Sequence, residues 1–483
     1  MLRRLSFAVL LAWLPAAQAA LPPPVGALMA AHKLPEDAIG VLVLRGDTML
    51  VSHLAERAMQ PASTMKLVTT LVALERLGPV FKGRTELRTA AVLAGDTLKG
   101  DLVLRGGADA DLTGDVIRDM LQSLRNQGVR RIEGRLVLDR QLFNPARIDT
   151  VPPFDESPEA YYNVIPDALL VNKNMLLLDL RSTGGQVQVN AQPALERVTV
   201  ESGMTLIEAP CENWEAGWKQ PVVVRDALGA IRVLLQGTYP KNCVAANSIN
   251  VVDRQDYVDR LVRETWKKLG GAIDGPTVEG AAGIDSRILA QHLSRALPEV
   301  VRDVNKPSDN TLARTLFLSL GSLEADAAAG SRPIPSATGE STFARSDLAI
   351  RHWMRAQGIN DAGLVMENGS GLSRLEKISP LQMAGLLKAG LRSKWAPEFM
   401  ASLPIVGVDG TMRRRLKDSP AAERARMKTG TLRNVTALAG YVPDANGQLC
   451  VVVAMVNSEA AGEGRGRAVL DALVDWVARS SAQ

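Results

Sequence analysis

The two ends of this 483-residue chain read as parts of one structure, and the long stretch between them reads differently. Near the start, "AIGVLVLRGDTMLVSHLAE" holds two strand-like runs turned at Gly46-Asp47. "MQPASTMKLVTTLVALERLGP" then gives a helix opened by Pro61 and stopped at Gly78-Pro79. Near the end, "RMKTGTLRNVTALAGYVPDANGQLCVVVAMVNS" reads as three consecutive strands, the last two turned at Asn446-Gly447, and "GRAVLDALVDWVARS" as a closing helix. Strands this remote in sequence complete one mixed sheet, with helices on both sides, if the roughly two hundred β-rich residues between them are an insertion. The predicted class is therefore mixed α/β.

Within the middle, "DVIRDMLQSLRNQGV" and "RQDYVDRLVRETWKKLGG" are helical, and residues 175–252 are mostly strands with Gly-rich turns. From about Asp285 the texture turns helical, with at least two helices through Leu323. A loop of small residues follows over 324–342, then the helical "FARSDLAIRHWMRAQGI".

Hydrophobic residues make up 46% of the chain, which places it among globular proteins, and a net charge of +4 without a Lys/Arg block gives no nucleic-acid arm. Only four histidines occur, at 32, 53, 292 and 352, and none sits in a metal-ligand pattern, so neither metal nor other cofactor is expected. "MLRRLSFAVLLAWLPAAQAA" has a basic start, a short apolar run broken by Pro15 and a small-x-small site, so residues 1–20 are predicted to be a cleaved signal peptide. Export permits disulfides. Cys211 and Cys243 flank loop-like sequence and are candidates to pair, whereas Cys450 lies in an apolar strand and reads as a buried thiol.

The chemistry lies in three short motifs. Ser63 sits in the first turn of the Pro61 helix, with Lys66 at i+3 on the same face. A helix start disfavours a cation. A lysine made neutral by desolvation and a neighbouring cation is, however, a suitable base for a serine nucleophile. Ser308-Asp309-Asn310 stands at a helix junction, and Lys428-Thr429-Gly430 on a strand. The S-x-N spacing also occurs at Ser248-Ile249-Asn250, in the strand-rich middle, and is read as chance there. S-x-x-K, S-D-N and K-T-G, in this order, are the set shared by class A β-lactamases and penicillin-binding proteins.

Together with "YYNVIPDALLVNKN", "ENGSGLSR" and "VGVDGTMRRRL", these motifs make the chain resemble the D-Ala-D-Ala carboxypeptidase/endopeptidase family of class C low-molecular-mass penicillin-binding proteins. The resemblance implies a transpeptidase-like domain, residues 21–86 and 287–483, interrupted by an insert domain (87–112 and 179–286) that itself holds a nested domain (113–178). It implies Ser63 as the acylated nucleophile and Lys66 as its base, with Ser308 and Asn310 on a second wall and Lys428, Thr429 and Gly430 on a third. The amides of Ser63 and Thr431 would form an oxyanion hole. Ser308 would relay a proton to the leaving amine. Gly430 would let an extended peptide lie along the strand edge.

The implied partners are peptidoglycan stem peptides and, as covalent inhibitors, β-lactams, with no nucleic acid and at most peripheral membrane contact, in the periplasm. One departure is Glu367-Asn368, where an aspartate is expected before the Gly-Ser-Gly. An acidic insert residue, Asp155 or Glu156, is a candidate partner for a diaminopimelate amine. The alternatives are a serine β-lactamase, whose chain would normally lack so large an insertion, and a binding protein without turnover. A Ser-His-Asp hydrolase is disfavoured because Ser370 in "NGSGL" lacks the first glycine of a G-x-S-x-G elbow.

Overall fold

Both ends of the chain do meet in one antiparallel sheet. In the computed structural model, which describes residues 21–147, 153–183, 185–335 and 339–481, this sheet holds β1 (Ile39–Arg45), β2 (Thr48–His53), β3 (Arg426–Leu432), β4 (Val435–Pro443) and β5 (Leu449–Asn457). The expected signal peptide, 1–20, lies outside the described residues. The strand order is β2-β1-β5-β4-β3, and the sheet closes where β1 pairs with β5, from Ile39 opposite Val456 to Arg45 opposite Cys450.

β1, β4 and β5 are apolar almost without interruption because the sheet is covered on both faces. Alternate residues part accordingly. Leu42, Ala437, Tyr441, Val453 and Met455 join a core with the helices Lys66–Leu77 and Pro380–Arg392. Val41, Val43, Leu438, Val452 and Ala454 face the helices Pro23–Ala31 and Arg465–Arg479. Cys450 is a buried free thiol in the second of these cores.

The insertion is built on a five-stranded sheet ordered Thr277–Glu279, Leu136–Asp139, Leu102–Gly107, Arg84–Thr89 and Arg287–Leu293. Residues 287–293, expected to begin the helical texture, thus form an edge strand, paired antiparallel to Arg84–Thr89. The run "RILAQHL" is short enough to satisfy either period, and the neighbouring strand decides it. The small-residue loop after Leu323 likewise holds a hairpin, Leu323–Asp326 with Gly330–Pro333.

The insert's strands pair across long sequence separations. Segment 113–178 supplies Arg131–Ile132 and Leu136–Asp139 to the same sheets as its flanks, through parallel pairings with Thr97–Leu98 and Leu102–Gly107. Separate sheets are made instead by 176–249: Leu176–Thr183 between Gln186–Gln192 and Val244–Ile249, and Ile231–Pro240 flanked by three shorter strands. Local patterning marks strands but not their parallel partners. Cys211 and Cys243 are bonded in this outer part, closing a 32-residue separation. Among the described residues no helix is long and apolar enough to cross a membrane.

Candidate active site

The α-helix that carries Lys66 begins at Lys66 itself, and Ser63 lies in a preceding 3₁₀ turn, Ala62–Met65. Ala62 holds a left-handed φ of 45° and Ser308 one of 68°. Left-handed non-glycine residues are strained and concentrate where a site over-determines the backbone. Here each lies in or beside one of the three motifs.

Lys66 is fully buried. Its Nζ is 3.0 Å from Ser63 Oγ, 2.6 Å from Asn310 Oδ1 and 2.5 Å from the Ser370 carbonyl. Three partners suit an ammonium donating three times. They suit equally a neutral amine that donates to Asn310 and Ser370 while its lone pair receives the Ser63 hydroxyl. Burial holds the Lys66 pKa well below the usual lysine range, and the positive charge of Lys428 adds to this; Glu376 and Asp309 pull the other way. Lys428 is also fully buried, and desolvation lowers its pKa to about 7. Its Nζ donates to Ser308 Oγ at 2.8 Å and to the Thr429 carbonyl at 2.8 Å. Lys66 thus joins Ser63 and Asn310 in one hydrogen-bonded cluster, and Lys428 joins Ser308 in another.

Asp309, the middle residue of its motif, caps the helix Asn310–Leu320 by accepting from Leu312 N at 2.9 Å. It also pairs with Lys173 of the insertion at 2.5 Å. A second tie to the insertion runs from Asn310 Nδ2 to the Tyr162 carbonyl, 3.3 Å away. Tyr162 in turn donates its hydroxyl to Asp155 at 2.9 Å, and Asn163 Nδ2 donates to the other Asp155 oxygen at 2.7 Å. Asp155 is therefore two links from Asn310, whereas Glu156 is exposed.

On β3, Thr429 Oγ1 donates to Thr411 Oγ1 at 2.7 Å, and Thr431 is exposed. β3 is an edge strand whose outer side, among the described residues, is paired only at its start, where Arg426 bridges Ile405 and Met427 N donates to Pro404. A side chain at Gly430 would come within 2.6 Å of the Pro61 carbonyl and 3.0 Å of Ser63 N. The glycine is thus required by the protein's own backbone, as room for the turn that bears Ser63.

The Glu367–Glu376 loop supplies what sequence reasoning missed. Glu376 is buried, and its Oε1 accepts from the amides of Glu367, Asn368 and Gly369 at 3.1, 2.9 and 2.7 Å. Its Oε2 accepts from Gly371 N at 2.8 Å. Asn368 suits this turn better than the expected aspartate: Oδ1 accepts from Ser370 N and Oγ while Nδ2 donates to the Leu372 carbonyl at 3.0 Å, and a carboxylate has no donor for that last bond. Ser248 and Asn250 belong to the insertion, where Asn250 accepts from Asn174 at 2.7 Å. Among the described residues no group of three or more His, Cys, Asp or Glu is arranged to hold a metal ion.

A model of the D-Ala-D-Ala carboxypeptidase 3 (S13) family matches residues 24–480. The D-alanyl-D-alanine carboxypeptidase DacB of Haemophilus influenzae is 26% identical over 446 residues, 89% of this chain and 88% of that protein. A D-alanyl-D-alanine carboxypeptidase of Actinomadura sp. is 29% identical over 407 residues, covering 80% of this chain and 72% of the relative. The crystal structure of penicillin binding protein 4 from Haemophilus influenzae superposes with a TM-score of 0.77 at 25% identity, covering 94% of this chain and 99% of that one. The same protein complexed with a β-lactam gives a TM-score of 0.71.

Proposed function

The chain belongs to the D-Ala-D-Ala carboxypeptidase 3 (S13) family and is a serine DD-peptidase, and from that premise we propose that it cleaves peptidoglycan stem peptides in the periplasm through an acyl-enzyme on Ser63. The observation that carries this reading is a buried lysine amine 3.0 Å from the serine hydroxyl. Neutral Lys66 takes the Ser63 proton as Oγ attacks the carbonyl carbon of the penultimate D-alanine. The amides of Ser63 and Thr431 hold the developing oxyanion. When the C–N bond breaks, the leaving nitrogen takes its proton through Ser308, which lies against Lys428. Asn310 holds a substrate amide, Lys428 and Thr429 hold a terminal carboxylate, and Gly430 keeps the strand close to Ser63. Water then hydrolyses the ester and regenerates the serine. In a cross-linked substrate the leaving amine is that of diaminopimelate. β-Lactams enter the same site and acylate Ser63.

Purified muropeptides provide the test. Free D-alanine should appear from pentapeptide monomers, monomers should appear from dimers, or both, and prior penicillin treatment should block release. Failure to cleave either substrate, with penicillin rapidly hydrolysed, would move the chain to the β-lactamases.

Asp155 belongs to the same proposal. Its carboxylate is held by Tyr162 and Asn163 beside the Tyr162 carbonyl that holds Asn310, so a substrate amine reaching this segment gains a charge-assisted partner. Asp155→Asn should lower kcat/KM on amine-bearing stem peptides about tenfold or more, since a hydrogen bond to a charged group is worth roughly 1.5–3 kcal/mol. The same substrates with the amine acetylated should lose far less. Equal loss on both would assign Asp155 to loop structure alone.

A further inference from the structure

We propose that Glu376 is a positioning residue for the Ser63–Lys66 pair, holding the 367–371 loop against both through four backbone amides; the assignment rests on the serine-peptidase reading of that pair. The four amides are those of Glu367, Asn368, Gly369 and Gly371, so one buried carboxylate fixes the turn along its whole length. That turn touches the catalytic helix and the turn before it at three points. The Ser370 carbonyl accepts from Lys66 Nζ at 2.5 Å. The Gly369 carbonyl accepts from Thr69 Oγ1 at 2.6 Å, one helical turn further on. Gly371, at φ 78°, lies so close to the Ser63 turn that a Cβ there would stand 1.8 Å from the Ala62 carbonyl and 2.7 Å from Ser63 N.

Glu376 acts on Lys66 in a second way. Burial pushes its carboxyl pKa up, but the four donated hydrogen bonds favour the ionised form. Its negative charge helps Lys66 keep a proton, as does that of Asp309, against the opposing effects of burial, Lys428 and Arg314. Arg314 itself feels Glu376 and Glu367. The carboxylate therefore places the Ser370 carbonyl on the amine and biases the amine's protonation through the same loop. A group serving only as a loop anchor would do the first and not the second.

The test is the pH dependence of Ser63 acylation by penicillin, read by intact mass per folded molecule. Glu376→Gln keeps the shape but removes the charge and sets an amide donor among the loop's N–H groups. Its plateau rate should fall by up to about 100-fold, the cost of a misplacement of about 1 Å. Its acid limb should move to lower pH by about half a unit or more, because losing a carboxylate lowers the pKa of the amine beside it. Thr69→Val, which loosens the loop without changing charge, should lower the plateau and leave the limb in place. Glu376→Asp keeps the charge and shortens the reach, so it should lower the plateau with the limb unmoved. This second variant decides the matter if Glu376→Gln does not fold. An unmoved limb in Glu376→Gln, or a wild-type plateau in a folded Glu376→Gln or Glu376→Asp, overturns the assignment. Absence of acylation in the wild-type protein would instead count against the serine-peptidase reading.

Discussion

Lys66→Arg should fold and yet lose acylation of Ser63 by penicillin by about a thousandfold, within the 10²–10⁴ that a positioned general base contributes. Arginine carries the positive charge and can donate to the Asn310 and Ser370 oxygens that now receive the lysine. It cannot lose its proton in this pH range, so it cannot accept the one that Ser63 must give up. Lysine can, because burial and the Lys428 charge both act to expel its proton. The larger guanidinium overpacks a fully buried position, at about 1–3 kcal/mol. A thermal melt separates that cost from the catalytic one. The readout is the fraction of penicilloyl-protein by intact mass against time. Acylation near the wild-type rate in a folded Lys66→Arg protein would exclude Lys66 as the base.

The parts of this site legible in the sequence are those whose geometry is local. Ser63 and Lys66 are one turn apart whatever surrounds them, and Lys428, Thr429 and Gly430 ride on one strand. The strands β1, β4 and β5 were legible because burial on both faces leaves continuous apolar runs. What escaped is tertiary. Glu376 sits in an ordinary polar run, "GLSRLEKIS", and its importance comes from main-chain amides that no side-chain pattern marks. The ties from Tyr162 and Lys173 to the second motif likewise depend on how the insertion folds back. The parallel pairings inside the insert join strands distant in sequence and leave no periodic trace. Gly430 shows a subtler gap. The sequence marks the glycine, but only the structure shows that the nearest claimant to its space is the Ser63 turn.

The penicilloyl ester of Ser63 should outlive the peptidyl ester by orders of magnitude, and this separates a DD-peptidase from a β-lactamase. Both substrates present an acyl group to Ser63 and leave an ester there. After peptide acylation the D-alanine diffuses away and opens a path for water. After β-lactam acylation the leaving amine stays tethered to the adduct and obstructs that path. A class A β-lactamase overcomes the obstruction with a glutamate free to activate water. Three carboxylates that the structure brings to this site are occupied. Glu376 accepts four amides, Asp309 takes Lys173 and the Leu312 amide, and Asp155 takes Tyr162 and Asn163. A thousandfold difference in ester lifetime corresponds to about 4 kcal/mol of barrier. Intact-mass measurements should find a lasting adduct of one penicillin on the wild-type protein and none on Ser63→Ala. A pentapeptide assay on the same preparation should show repeated release of D-alanine, abolished once the adduct has formed. If the adduct instead decays within seconds while penicillin is consumed over many turnovers, the assignment moves to β-lactamase, and the carboxylates around Ser63 become candidates to activate its water. Glu376, with both oxygens inside the loop that holds Lys66, would be the first to examine.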